Sequence, residues 1–172
     1  MKNKNYKEKL SDIKTFIFDV DGVLTDGSIL LTTEGEMYRS VNTKDGYAIK
    51  LAINTGFKIA IISAGINEGV KKRFKALGVI DIFLGAEKKI DTLKEIIDNY
   101  NLNVNNILYM GDDIPDIEIM KKVGLSCCPS DAVTEVKNIS NYISSKKGGK
   151  GCVREIIEQT LKVQNKWNIN FN

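Results

Sequence analysis

Thr15-Phe16-Ile17-Phe18-Asp19-Val20-Asp21-Gly22-Val23-Leu24-Thr25-Asp26 is an apolar run that ends on two carboxylates spaced two apart, followed at once by a glycine. The run Thr15–Phe18 has the look of a parallel strand buried on both faces. The C-terminal edge of such strands is where open α/β sheets place their ligands. Two acids at that edge are costly unless a cation or a proton neutralises them. Asp19 and Asp21 are therefore the first candidates for chemistry.

Further strand-like runs follow at Lys58–Ile62, Ile82–Leu84, Ile107–Met110 and Leu125–Cys128. Between them lie helical patterns at Asp45–Asn54, Asn67–Leu77, Ile90–Tyr100 and Pro115–Val123, three of them stopped by Gly56, Gly78 and Gly124. A last helix runs from Cys152 to about Val163, with Val153, Ile156, Ile157 and Leu161 on one face. Strand alternating with helix predicts a three-layer, Rossmann-like parallel sheet with crossover helices. One segment breaks the rhythm. Residues 28–41 hold two β-like runs around Thr32-Thr33-Glu34-Gly35, and they predict a hairpin placed directly after the acidic motif.

The chain of 172 residues suits one domain spanning 1–172, with residues 165–172 as a loose polar tail in which Trp167 and Phe171 are the groups able to dock. Twenty-five basic against 22 acidic residues give a charge of +3, too mild to point to nucleic acid. Lys71-Lys72-Arg73 reads as a solvated helix face. The charged N-terminus carries no apolar leader, and no apolar run approaches membrane-spanning length, so a cytoplasmic protein is expected. Cys127, Cys128 and Cys152 have neither disulfide-framework nor zinc spacing and read as buried thiols. There is no histidine. That excludes histidine nucleophiles, Ser-His-Asp and Cys-His catalysis and histidine-ligated zinc, and leaves acid–base work to carboxylates, lysine or tyrosine.

A second acidic cluster, Gly111-Asp112-Asp113-Ile114-Pro115-Asp116, follows the Ile107–Met110 run. If those two strands are neighbours, Asp19, Asp21, Asp112, Asp113 and Asp116 converge on one small volume. So many hard oxygen ligands ask for Mg²⁺.

Asp-x-Asp-Gly-Val-x-Thr-Asp with Gly-Asp-Asp-x-x-Asp about ninety residues on resembles the haloacid dehalogenase superfamily of phosphohydrolases. Ser63 after Ile59–Ile62, and Lys89 in Gly85-Ala86-Glu87-Lys88-Lys89, fall in the family's order, with Lys88 a rival to Lys89 by proximity. The resemblance implies Asp19 as the nucleophile that forms an aspartyl-phosphate, and Asp21 as the acid, then the base. It implies Asp19, the Asp21 carbonyl and Asp112 as Mg²⁺ ligands, with Asp113 and Asp116 in support. Lys89 would neutralise the incoming phosphate, and Ser63 and Ala64 would bind it.

The family's usual inserted cap domain has no counterpart here beyond the hairpin. That small form, with Asn42-Thr43-Lys44-Asp45-Gly46-Tyr47 and Gly148-Gly149-Lys150-Gly151-Cys152-Val153-Arg154-Glu155, is similar to the phosphatases of 3-deoxy-D-manno-octulosonate 8-phosphate. By composition alone the Lys146–Gly151 loop reads as a flexible linker, and it lacks the Gly-Lys-Ser/Thr of a phosphate-binding P-loop. The likeness implies a homotetramer in which neighbouring subunits cover each site. It puts Thr25, Asp26 and Asp45 near a phosphorylated sugar acid, with Lys150 or Arg154 contributing across subunits. It also leaves open nine-carbon 2-keto sugar acid 9-phosphates (KDN or N-acylneuraminate). Where many relatives carry Gly-Arg after the Ser/Thr, this chain has Ala64-Gly65. A phospho-aspartate receiver is the reading from another class; an acid at Asp21, equipped for turnover, speaks against it.

Overall fold

The structure, a computed structural model, describes residues 5–167. Six parallel strands form one sheet in the order β5-β4-β1-β6-β7-β8. They are β1 (Thr15–Phe18), β4 (Lys58–Ile62), β5 (Asp81–Phe83), β6 (Ile107–Met110), β7 (Leu125–Cys128) and β8 (Tyr142–Ile143). From β1 the chain builds outward through β4 to β5, then returns to the other side of β1 with β6. A crevice therefore opens at the C-terminal ends of the central strands. Register sets what lines it. Phe18 lies opposite Ile61 on one side and Met110 on the other. Asp19, Ser63 and Asp112 thus leave three adjacent strands at nearly one level.

Both faces of the sheet are covered, which is why β1, β4 and β6 read as near-continuous apolar runs. Phe16, Phe18, Ile59, Ile61, Leu108 and Met110 pack on one side against α2 (Thr43–Asn54), α3 (Glu68–Ala76) and α7 (Cys152–Val163). Ile17, Ala60, Ile62, Ile107 and Tyr109 face α4 (Lys89–Tyr100), α5 (Ile117–Met120) and α6 (Thr134–Ile139). A short α1 (Tyr6–Leu10) adds Leu10 to the first of these cores. Asn42 and Asn67 start α2 and α3 by accepting backbone N–H bonds at 2.9 and 3.0 Å.

The hairpin is present as β2 (Leu30–Leu31) and β3 (Met37–Tyr38), antiparallel, in place of any larger insertion between β1 and α2. Its paired stretches are shorter than the 28–41 expectation. Its apolar side chains face outward, with Leu30 and Leu31 67% and 69% exposed. Pro115–Val123 is not one helix but a tight turn over Ile114–Asp116 followed by a single turn of α5. The Asp116 carboxylate accepts from the backbone of Asp112 and Asp113 and holds that tighter turn. The elements α1, α6 and β8 escaped the sequence reading, since two to six residues are too few for a period to show.

The Lys/Gly loop is a strut rather than a linker. The Gly149 N–H donates to the Val23 carbonyl at 2.9 Å, and the Gly148 N–H to Asp131 at 2.9 Å. A Cβ on Gly148 would lie 1.9 Å from the Gly22 carbonyl oxygen, so no larger residue permits this approach. At the C-terminal end Trp167 packs on the first core, beneath Arg154. Phe171 lies outside the described residues. Among them, no helix is long and apolar enough to cross a membrane.

Candidate active site

Asp19 follows the last residue of β1, and its backbone N–H donates to the Met110 carbonyl at 3.1 Å. The next residues turn sharply. Gly22 takes φ = 89°, a left-handed value that side-chain-bearing residues avoid. A Thr25 Oγ knot fixes this turn: it accepts from the N–H groups of Gly22 and Gly27 at 3.3 and 3.2 Å and lies 3.3 Å from the Val20 carbonyl oxygen it donates to. Asp19 thereby faces the crevice while Asp21 stands at its mouth.

Lys89 is the buried cation of the site. It opens α4, and its Nζ lies 2.8 Å from Asp19 Oδ1 and 2.7 Å from Asp116 Oδ1. Lys88, one residue earlier, is exposed. Burial pulls the Lys89 pKa down, but the two carboxylates outweigh it and the pKa is raised, so the ammonium persists. Asp116 is fully buried and has four donors. Lys89 and Tyr109 Oη (2.5 Å) serve Oδ1, and the N–H groups of Asp112 (3.0 Å) and Asp113 (3.3 Å) serve Oδ2. Burial first, then Asp116, holds the Tyr109 phenol well above its usual pKa, so it stays a donor.

Asp112 has no such company. Its Oδ1 is buried without a partner. Burial and then the Asp19 and Asp116 charges push its pKa up to about 8; burial and then Asp116 push Asp19 to about 6. Carboxylate oxygens of Asp19, Asp112 and Asp116 lie within 4.8 Å of one another. Asp116 is already saturated by its donors, so Asp19 and Asp112 are the oxygens free to take a cation. A partnerless oxygen beside a second carboxylate suits a hard divalent ion such as Mg²⁺.

These groups line a cavity of about 180 Å³ together with Ser63 and Ala64. Ser63 Oγ, just past β4, accepts from the Gly65 N–H at 3.1 Å. Asp113 caps the Ile114–Asp116 turn through a 2.7 Å bond from the Ile114 N–H. Other predicted residues are not brought to the cavity wall. Thr25 is inside its knot. Asp26 pairs with Lys150 at 3.2 Å. Asp45 is buried on α2, where Oδ1 accepts from the Arg154 N–H at 2.7 Å and Oδ2 has no partner. Lys150 and Arg154 line a separate groove of about 420 Å³ along α7, with Lys44 and Lys146.

A sequence profile for haloacid dehalogenase-like hydrolases matches residues 66–156. The chain is 34% identical over 158 residues to the 3-deoxy-D-manno-octulosonate 8-phosphate phosphatase KdsC of Salmonella typhi, covering 92% of this chain and 84% of that one. The chain belongs to the haloacid dehalogenase-like hydrolases. Among solved structures of that family, the phosphatase of Moraxella catarrhalis in complex with magnesium, phosphate and KDO is similar, with a TM-score of 0.92 and 31% identity over 96% of this chain and 95% of that one. The cobalt-bound Haemophilus influenzae enzyme has a TM-score of 0.89 at 31% identity, over 95% and 92% of the two chains. The Rossmann-like α/β fold of this family is therefore the one the sequence predicted, and the hairpin is present, with shorter strands than expected.

Two residues of this hydrolase site went unread in the sequence. Tyr109 sits in a strand buried on both faces, and a phenol there demands a polar partner; that was the available signal. Arg39 comes from the hairpin and donates to Asp21 through Nε at 2.7 Å and Nη2 at 3.1 Å. No local pattern marks a side chain that reaches eighteen residues back.

Proposed function

We propose that this chain is a Mg²⁺-dependent phosphomonoesterase that converts 3-deoxy-D-manno-octulosonate 8-phosphate to the free sugar acid and inorganic phosphate. The observation that carries the reading is Asp19, flanked by the Lys89 ammonium and the partnerless Asp112 oxygen, in a chain one-third identical to curated phosphatases of that substrate.

Asp19 attacks phosphorus; the new Asp19 O–P bond forms as the bond to the sugar oxygen breaks, and Asp21 delivers its proton to that oxygen. Asp21 then takes a proton from the water that attacks the aspartyl-phosphate, which frees phosphate and restores Asp19. Lys89 stays beside the nucleophile throughout and offsets the negative charge that Asp19, Asp112 and Asp116 would otherwise turn against a phosphate. Asp116, fixed by Tyr109 and two backbone N–H groups, holds Lys89 in place. Ser63 Oγ and the backbone after Asp19 bind phosphate oxygens. Asp19, Asp112 and the Asp21 carbonyl would hold Mg²⁺, which would supply positive charge against the anionic substrate.

The reading extends to a cytoplasmic homotetramer that makes a sugar acid for lipopolysaccharide. Three buried free thiols support a reducing compartment, and the outward apolar hairpin supports self-assembly. In such an assembly Lys150 or Arg154 would contribute to a neighbouring subunit's site.

Phosphate release tests the reading, with the eight-carbon ester run against nine-carbon 2-keto sugar acid 9-phosphates and hexose phosphates, with and without Mg²⁺. The eight-carbon ester is expected to win. Asp19→Asn is expected to lose on the order of 10⁴-fold or more. A large preference for a hexose phosphate would remove the substrate, and full activity in Asp19→Asn would remove the mechanism.

A further inference from the structure

The mechanism asks Asp21 to give a proton and take one back at defined positions, yet its side chain stands 30% exposed at the mouth of the crevice. Its neighbour Thr25 is 3.5 Å away, too far to fix a carboxylate. What holds it is Arg39, whose Nε and Nη2 meet the two Asp21 oxygens separately at 2.7 and 3.1 Å. Such a two-pronged bond fixes the plane of the carboxylate as well as its place, which a lysine ammonium does not do.

Arg39 is itself held. Its side chain is 6% exposed although it springs from the most exposed element of the fold. Its Nη1 donates to the Met37 carbonyl at 3.3 Å, and Asn67, which caps α3, donates to the same carbonyl at 3.0 Å. The loop after β4 leaves room for the pair: a Cβ on Gly65 would lie 3.1 Å from Asp21 Oδ2 and 3.4 Å from Arg39 Nη2. The hairpin strand, the α3 cap and the β4 loop thus converge on one ion pair.

We propose that Arg39 is a positioning residue that holds the Asp21 carboxylate in its working orientation, which makes the hairpin part of the catalytic apparatus. The inference rests on the phosphatase reading above and assigns Arg39 no contact with the phosphate. Proton delivery matters most for an alkoxide leaving group. A nitrophenolate leaves without it. Misplacing Asp21 therefore slows the sugar ester and spares the first turnover of an aryl ester.

The test compares the wild type with Arg39→Gln, Arg39→Lys, Asp21→Asn and the Asp21→Asn/Arg39→Gln double variant. The substrates are the eight-carbon sugar acid phosphate in the steady state and p-nitrophenyl phosphate in the first turnover, with melting curves for each variant. For Arg39→Gln, kcat on the sugar ester is expected to fall on the order of 10²-fold, with KM within about twofold of wild type. First-turnover nitrophenolate release should stay close to wild type. Arg39→Lys, which keeps the charge and loses the fork, should also remain well below wild type. In the Asp21→Asn background the Arg39 change should cost nothing more, a coupling that a merely structural role would not produce.

Wild-type kcat in Arg39→Gln would overturn the proposal. So would losses that add to those of Asp21→Asn. Equal losses on both esters with a raised KM would make Arg39 a phosphate ligand instead. If the wild type hydrolyses neither ester, the phosphatase reading has failed and this inference falls with it; an active wild type beside an indifferent Arg39→Gln sinks the inference alone.

Discussion

Gly22 and Asp112, ninety residues apart in the chain, leave no space between them: a Cβ on Gly22 would lie 2.0 Å from Asp112 Oδ2. The two acidic motifs are therefore interlocked by shape as well as by charge. The first bends away at φ = 89° where the second brings in its carboxylate.

Gly22→Ala is expected to damage the metal site and the fold together. The left-handed backbone alone costs a side chain roughly 1–3 kcal/mol, and the methyl must also displace Asp112. A lowered melting temperature and a weakened Mg²⁺ titration would show both. Unchanged Mg²⁺ affinity would mean that Asp112 is not a ligand.

Lys89→Met removes the one ammonium shared by Asp19 and Asp116. Breaking a buried pair from one side costs about 3–5 kcal/mol, so the melting temperature and phosphate release should both fall sharply. Lys88→Met, at an exposed position, should change neither. Activity loss in Lys88→Met with Lys89→Met unharmed would reverse the assignment.

Stability without metal should decline as pH rises from about 4 to about 8. In that range the folded protein, with Asp19 raised to about 6 and Asp112 to about 8, binds more protons than the unfolded chain, whose carboxylates have titrated near their usual 3.8. Raising the pH therefore favours the unfolded state. Mg²⁺ competes with those protons, so its stabilisation should grow with pH over the same window. Melting curves at several pH values, with Mg²⁺ or with chelator, check the sign. A metal-free curve that rises through this range would show that these two groups do not dominate.

Replacing Leu30 and Leu31 by lysine should leave the fold intact, since both side chains are more than two-thirds exposed. In sedimentation the wild type is expected to run as a tetramer and the double variant as a smaller species. Selectivity among sugar phosphates should weaken with it, because the neighbouring subunit no longer covers the site. An unchanged sedimentation coefficient would move the interface elsewhere.

The central strands were legible because each is buried on both faces, and burial leaves an unbroken apolar run: Lys58–Ile62, Ile107–Met110 and Leu125–Cys128 stand where the pattern put them. Asp19 and Asp112 were legible because an apolar strand run ends on carboxylates at the sheet edge, whereas Ser63 and Lys89 were singled out only by the order of the family's motifs; the sheet register brings the strand ends together. The short α1, α6 and β8 had neither an unbroken apolar run nor a period long enough to read. The choice between Lys88 and Lys89 needed the start of α4, where one turns inward and the other toward solvent.

The central strands, the acidic ends and the absence of histidine follow from local pattern and composition, because burial and charge act at each position along the chain, whereas the order of the strands across the sheet is set by tertiary pairing. The folded arrangement alone decided that Arg39 grips Asp21, that Tyr109 and Lys89 share Asp116, and that Asp45 holds α7 instead of lining the cavity. Those pairings join residues seven to 109 apart. They arise from packing and hydrogen bonding between distant elements, where neighbours in space leave no spacing in the sequence.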